Sequence, residues 1–132
     1  MNLVNRRGPM PKKILIIDDE PEICKFVVDF LNDAGYSASS AFNGPAGLDK
    51  IEKEQPSLVL LDIGMPGMDG IEVMREIHQK WPALPVVILT AQKDPDTVKK
   101  MIQYGACEYL TKPIHLETLL DQFVKDMIGL PR

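Results

Sequence analysis

Residues 57–62 read SLVLLD: four consecutive apolar residues, Leu58 to Leu61, closed by one aspartate. A strand with one wet face would alternate apolar and polar residues. An unbroken run marks a strand covered on both faces. ILIID (14–18) and PVVILT (85–90) have the same form, rich in β-branched residues and ending on a polar one. YSASSA (36–41) and EYLTK (108–112) also have strand length, but they are more polar or shorter. The first three are therefore expected at the centre of a sheet and the last two at its edges.

Helical patterns fill the intervals. Ile23, Phe26, Val27, Phe30, Leu31 and Ala34 recur at the spacing of one helix face, and Gly35 follows as a stop. Val98, Met101, Ile102, Gly105 and Ala106 repeat the pattern, as do Leu116, Leu119, Leu120, Phe123, Val124, Met127 and Ile128. Segments 44–55 and 70–80 have helical length, and Asp94-Pro95 reads as an N-cap followed by a first-turn proline. The alternation βαβαβαβαβα predicts an α/β fold: a doubly wound, five-stranded parallel sheet with helices on both faces. Right-handed crossovers, with strand two beside strand one at an edge, lead to the order 2-1-3-4-5, the flavodoxin-like arrangement.

Composition agrees with one such domain. The chain has 132 residues, 45% hydrophobic and 26% charged, so disorder or a coiled coil is excluded as the whole answer. A net charge of −4 with no Lys/Arg cluster argues against a nucleic-acid partner. No apolar run approaches the roughly 18 residues of a membrane span. The opening MNLVNRRGPMPKK has no apolar core and is not a secretory signal. Residues 1–11 read as a disordered tail or an expression remnant, and 12–129 as the domain. Cys24 and Cys107, far apart, read as small core residues of a reducing cytoplasm, with neither a disulfide framework nor a zinc site.

The polar residues that break the pattern all fall at the carboxyl ends of strands. Asp18 and Asp19 end strand one, Asp62 strand three, Thr90 strand four and Lys112 strand five. In an open parallel sheet these ends share one rim, and ligands bind where the strand order reverses. In the order 2-1-3-4-5 that point lies between strands one and three. Three carboxylates would meet there, flanked by a hydroxyl and an ammonium. Such crowding raises at least one carboxyl pKa unless a cation relieves it. Hard oxygen donors suit Mg²⁺, which keeps waters and leaves room for a phosphate. Asp62, nearest the middle of the rim, is the candidate nucleophile for a phosphoryl group; Asp18 and Asp19 are better placed as metal ligands.

Four stretches together resemble the receiver domain of two-component response regulators: the acidic pair of IDDEP, the LLDIGMPGMDG segment, LTA at 89–91, and GACEYLTKP ending in Lys112-Pro113. The resemblance spans about residues 12–129. It implies that Asp62 accepts a phosphoryl group from a phosphohistidine, in a sensor histidine kinase or a histidine phosphotransfer domain. It implies Mg²⁺ held by Asp19, Asp62 and the Gly64 carbonyl, with Asp18 acting mainly through water. Thr90 and Lys112 would sense the phosphoryl group, Tyr109 would be the rotating aromatic, and Lys112-Pro113 a cis peptide. A cytoplasmic phosphoprotein of signal transduction or a phosphorelay follows, with an output domain or protein downstream and dimerisation on phosphorylation as a further family option. It would be a switch that assists its own phosphorylation and dephosphorylation, not an enzyme with a separate substrate. Gly64 and Gln92 stand where the family varies and tunes acyl-phosphate lifetime, and Cys107 replaces a common acidic residue.

Plainer readings exist for each part. An acidic pair before Pro21 is ordinary helix-start chemistry, MPGMDG (65–70) is a turn by composition, and Thr90, Lys112 and Tyr109 singly are commonplace. His78 and His115 read as surface residues, and Trp81 as the cover of a helix end. Two other functions fit less well. An aspartyl-phosphate phosphohydrolase would carry D-x-D after strand one and a later acidic pair. A flavodoxin-like cofactor binder would need a hydroxyl- or glycine-rich loop where IDDEPE stands.

Overall fold

The computed structural model describes residues 10–64, 70–91 and 95–132. Five strands alternate with five helices: β1 (Lys13–Ile17), α1 (Pro21–Asp33), β2 (Ser37–Ala41), α2 (Gly44–Glu54), β3 (Leu58–Asp62), α3 (Gly70–Lys80), β4 (Val86–Thr90), α4 (Pro95–Gln103) and β5 (Glu108–Thr111). The last helix, α5, comes in three consecutive pieces: α-helical Leu116–Thr118, π-helical Leu119–Val124 and α-helical Lys125–Ile128. The strands form one parallel sheet in the order β2-β1-β3-β4-β5, as expected. Residues 1–9, 65–69 and 92–94 lie outside the described residues, and with them most of the segment read from the sequence as a turn, the Asp94 N-cap and Gln92.

The two-residue period of a strand divides the core. Leu15, Ile17, Val59, Leu61, Val86 and Ile88 face one side, where Ile51 of α2, Val73 and Ile77 of α3, and Met101 of α4 cover them. Ile14, Ile16, Leu58, Leu60, Val87 and Leu89 face the other, beneath Cys24, Val27 and Leu31 of α1 and Leu119 and Val124 of α5. The central strands are thus buried on both faces, which is why their sequences do not alternate. At Gly47 of α2 an added Cβ would meet Ile17 Cδ1 at 2.4 Å, so only glycine lets that helix lie this close to β1.

Local expectations differ from the structure in three places. A regular α-helical period was expected throughout α5. The middle stretch, Leu119–Val124, is π-helical, yet the expected face still meets the core, with Leu119 and Val124 buried in it. Phe26 was expected on the buried face of α1 but is 64% exposed, because it lies on the flank toward the β5–α5 connection. Cys24 is buried, but Cys107 is exposed and is no core residue: it precedes β5, an edge strand with little over it. Among the described residues no helix is long and apolar enough to cross a membrane.

Candidate functional site

Strand register builds the site. Ile17 pairs with Leu61, so Asp18 and Asp62, each the next residue, reach the rim at the same height. Asp62 pairs with Leu89 and Thr90 with Thr111, which sets Thr90 one residue and Lys112 two residues beyond the level of Asp62. The Lys112 amide donates to the Thr90 carbonyl at 2.8 Å and fixes that last step. The Lys112-Pro113 peptide is cis. Asp19, Glu20, Asp62, Gly64, Thr90, Ala91 and Lys112 line a cleft of about 380 Å³ over the β1–β3 boundary.

The acids are not equivalent. Asp18 is fully buried (0% exposed), and both its oxygens are used. Oδ1 accepts the Glu20 amide at 3.0 Å, and Oδ2 accepts the Lys112 ammonium at 2.9 Å. Burial pushes the Asp18 carboxyl above its usual range; the Glu20 N–H and Lys112 pull the other way, and the charge of Asp62 adds to the rise. Asp62 is 4% exposed, with Oδ1 accepting the Gly64 amide at 2.9 Å and Oδ2 the Lys112 ammonium at 3.1 Å. Lys112 bonds Glu20 Oε1 as well, at 3.3 Å. Burial alone would lower the Lys112 pKa, but its hydrogen bonds to Asp18 and Asp62 win and hold it above the ordinary lysine value. Behind the site, the Cys24 thiol donates to the Asp18 carbonyl at 3.3 Å.

Of the sequence-derived residues, Asp19, Asp62, Gly64, Thr90 and Lys112 therefore line one crevice, and Asp18 is buried beneath it, bonded to Lys112. Tyr109 does not line it. Its side chain is exposed over Pro95, Val98 and Lys99 of α4, outside the cleft. The missed member is Glu20. The third acid of IDDEP was its only sequence signal, and nothing local shows that it reaches Lys112. Asp18, Asp19, Glu20 and Asp62 each place a ligand oxygen within 4.8 Å of the others. Among the described residues one ammonium, Lys112, is bonded to this set, through Asp18, Glu20 and Asp62. An all-oxygen set with that charge excess fits a hard divalent cation of the Mg²⁺ kind. A second, apolar groove of about 570 Å³ runs beside the cleft, lined by Ile23, Phe26, Val27, Pro113 and Ile114, and it shares Glu20 and Lys112 with it.

Known proteins similar to this chain are numerous. Residues 14–124 match the response regulator receiver domain model. The probable C4-dicarboxylate response regulator DctR of Bacillus subtilis (strain 168) is 38% identical over 109 residues, 81% of this chain. The chain spans about half of that relative's length, 48%. Among solved structures, a CheY-like receiver domain protein from Methanospirillum hungatei JF-1 superposes with a TM-score of 0.84 at 30% identity, over 89% of this chain and 94% of the other. Chemotaxis protein CheY4 of Vibrio cholerae gives 0.83 at 30% identity, over 91% and 100%. NtrX from Brucella abortus, solved with ATP, gives 0.81 at 32% identity over 89% of this chain and 27% of the longer protein. Strand order, the chemistry at the strand ends and sequence agreement over most of the length lead to one conclusion: the chain belongs to the response regulator receiver domain family.

Proposed function

We propose that Asp62 is the phosphoacceptor of a Mg²⁺-dependent phospho-switch. A carboxylate oxygen of Asp62 attacks the phosphorus of a phosphohistidine. The new O–P bond forms as the P–N bond breaks, and its electron pair leaves on the imidazole nitrogen, which takes a proton from solvent. The carrying observation is Lys112: its ammonium lies within hydrogen-bond distance of both Asp62 and Asp18 inside a cleft open to a phosphoryl group. Asp19, Asp62 and the Gly64 carbonyl would hold the cation, with Asp18, both oxygens already bonded, contributing through water. Bound Mg²⁺ would neutralise charge on the transferred phosphoryl oxygens.

The phosphoryl group adds charge and three acceptor oxygens. Lys112 and the Thr90 hydroxyl turn toward them, and Tyr109 moves from its exposed position into the space Thr90 leaves. The face made by α4, β5 and α5 then shifts between two packings, and affinity for an output domain or protein, or for a second copy, shifts with it. The donor is a sensor histidine kinase or histidine phosphotransfer domain in the cytoplasm. The groove around Phe26 adjoins the cleft and offers such a partner an apolar seat. The domain is a switch that assists its own phosphorylation and dephosphorylation, without turnover of a separate substrate.

The test is labelling with acetyl phosphate and Mg²⁺, read by intact mass. Wild type should gain one phosphoryl group and Asp62→Asn none. Stoichiometric labelling of Asp62→Asn would overturn the assignment.

A further inference from the structure

We propose that Glu20 is a positioning residue of this site: its carboxylate is the exchangeable acceptor that holds the Lys112 ammonium until a phosphoryl oxygen replaces it. The inference rests on the phosphoacceptor role of Asp62. An ammonium has three N–H donors, and three carboxylates already engage Lys112: Asp18 Oδ2 at 2.9 Å, Asp62 Oδ2 at 3.1 Å and Glu20 Oε1 at 3.3 Å. A phosphoryl oxygen can be bonded only if one of these is given up.

The three differ in what release costs. Asp18 is fully buried, so losing Lys112 leaves a buried carboxylate charge without its cation. Asp62 is the group being modified and stays beside the ammonium. The Glu20 side chain is 56% exposed, so its carboxylate rehydrates as it lets go. It also makes the longest of the three bonds. Its backbone is fixed where this requires: the amide is held by Asp18 Oδ1 at 3.0 Å, and the residue is extended (φ −99°, ψ 102°) just before Pro21 opens α1. That geometry aims the side chain across the mouth of the cleft to β5. Glu20 thus opposes phosphorylation by holding the ammonium away from the incoming group.

The experiment compares Glu20→Gln and Glu20→Asp with wild type at saturating Mg²⁺. It measures the acetyl phosphate labelling rate and the affinity for fluoroberyllate, an analogue of the phosphoryl group, with thermal melts to confirm folding. Aspartate keeps the charge but is one methylene shorter, and cannot span a contact already at 3.3 Å. Both variants should label two- to fivefold faster and bind fluoroberyllate tighter by the same factor, the range for a partly exposed ion pair. A fold defect alone would not raise analogue affinity. If Glu20→Asp matches wild type, the charge at the mouth and not the tether is at work, and the proposal fails. If either variant is slower at saturating Mg²⁺, or neither changes, Glu20 is a metal ligand or a bystander, and the proposal fails as well. Absence of labelling in wild type itself would instead sink the phosphoacceptor assignment.

Discussion

Asp18→Asn should stabilise the metal-free protein. The carboxylate it removes is fully buried, accepts one N–H from Glu20 and one from Lys112, and has a ligand oxygen within 4.8 Å of those of Asp19, Glu20 and Asp62. At an effective dielectric of 20, attraction to Lys112 at 2.9 Å is worth roughly 6 kcal/mol. Repulsion from Asp62 at the outer limit of the cluster is roughly 3.5 kcal/mol, and burying the ion costs several more. The carboxyl is held above its usual range, burial being the largest cause, so the costs exceed the attraction. Asparagine keeps an oxygen for the Glu20 amide, and Lys112 keeps Asp62 and Glu20. Relieving a strained functional site commonly returns about 1 kcal/mol, or roughly 4 °C in a domain of this size.

The assay is thermal unfolding in EDTA at neutral pH, repeated with Mg²⁺ and at acid pH. The sign follows from linkage. An acid whose folded pKa is raised binds its proton more tightly when folded. Its penalty is therefore present at neutral pH, falls as pH drops through the raised value, and is gone below the unfolded value of 3.8. The advantage of Asp18→Asn should shrink on acidification and shrink again when Mg²⁺ stabilises wild type. A variant that melts below wild type in EDTA, or whose advantage is independent of pH, would show that ion pairing rather than burial dominates at Asp18.

Lys112→Met should destabilise the metal-free protein by about 3 kcal/mol, because Asp18 loses its cation, and Mg²⁺ should restore part of the loss in thermal melts. The raised Lys112 pKa means its stabilisation is complete below 10.5 and lost as pH rises above it; an alkaline unfolding series in EDTA should show this loss in wild type and not in Lys112→Met. Burial, aided by the charge of Asp18, pushes the Cys24 thiol up to about 11, so a maleimide near neutral pH should modify Cys107 quickly and spare Cys24 in the folded protein, as read by peptide mass. Gly70→Ala should cost about 1–3 kcal/mol in a urea titration, since its Cβ would come within 2.8 Å of the Ile63 Cα and push α3 away from the end of β3.

The sheet and its order were legible in the sequence because burial on two faces leaves a local mark. Leu58–Leu61 and Val86–Leu89 could be unbroken only under helices on both sides, and that ranked the strands from centre to edge. Asp18, Asp62, Thr90 and Lys112 were legible for a related reason: parallel strands deliver their carboxyl ends to one rim, so polar residues that close apolar runs must gather there. What the sequence could not assign was the division of labour among them. Asp18 and Asp19 are neighbours of the same type, yet Asp18 is buried with both oxygens bonded, while Asp19 lines the open cleft. Glu20 meets Lys112 from ninety-two positions away, Cys107 lies outside the core, and Phe26 turns from its helix face to an open groove. Each of these depends on which element crosses above a given side chain, and so on distances between segments remote in the chain. Periodicity records only whether a face is covered; tertiary packing decides by what.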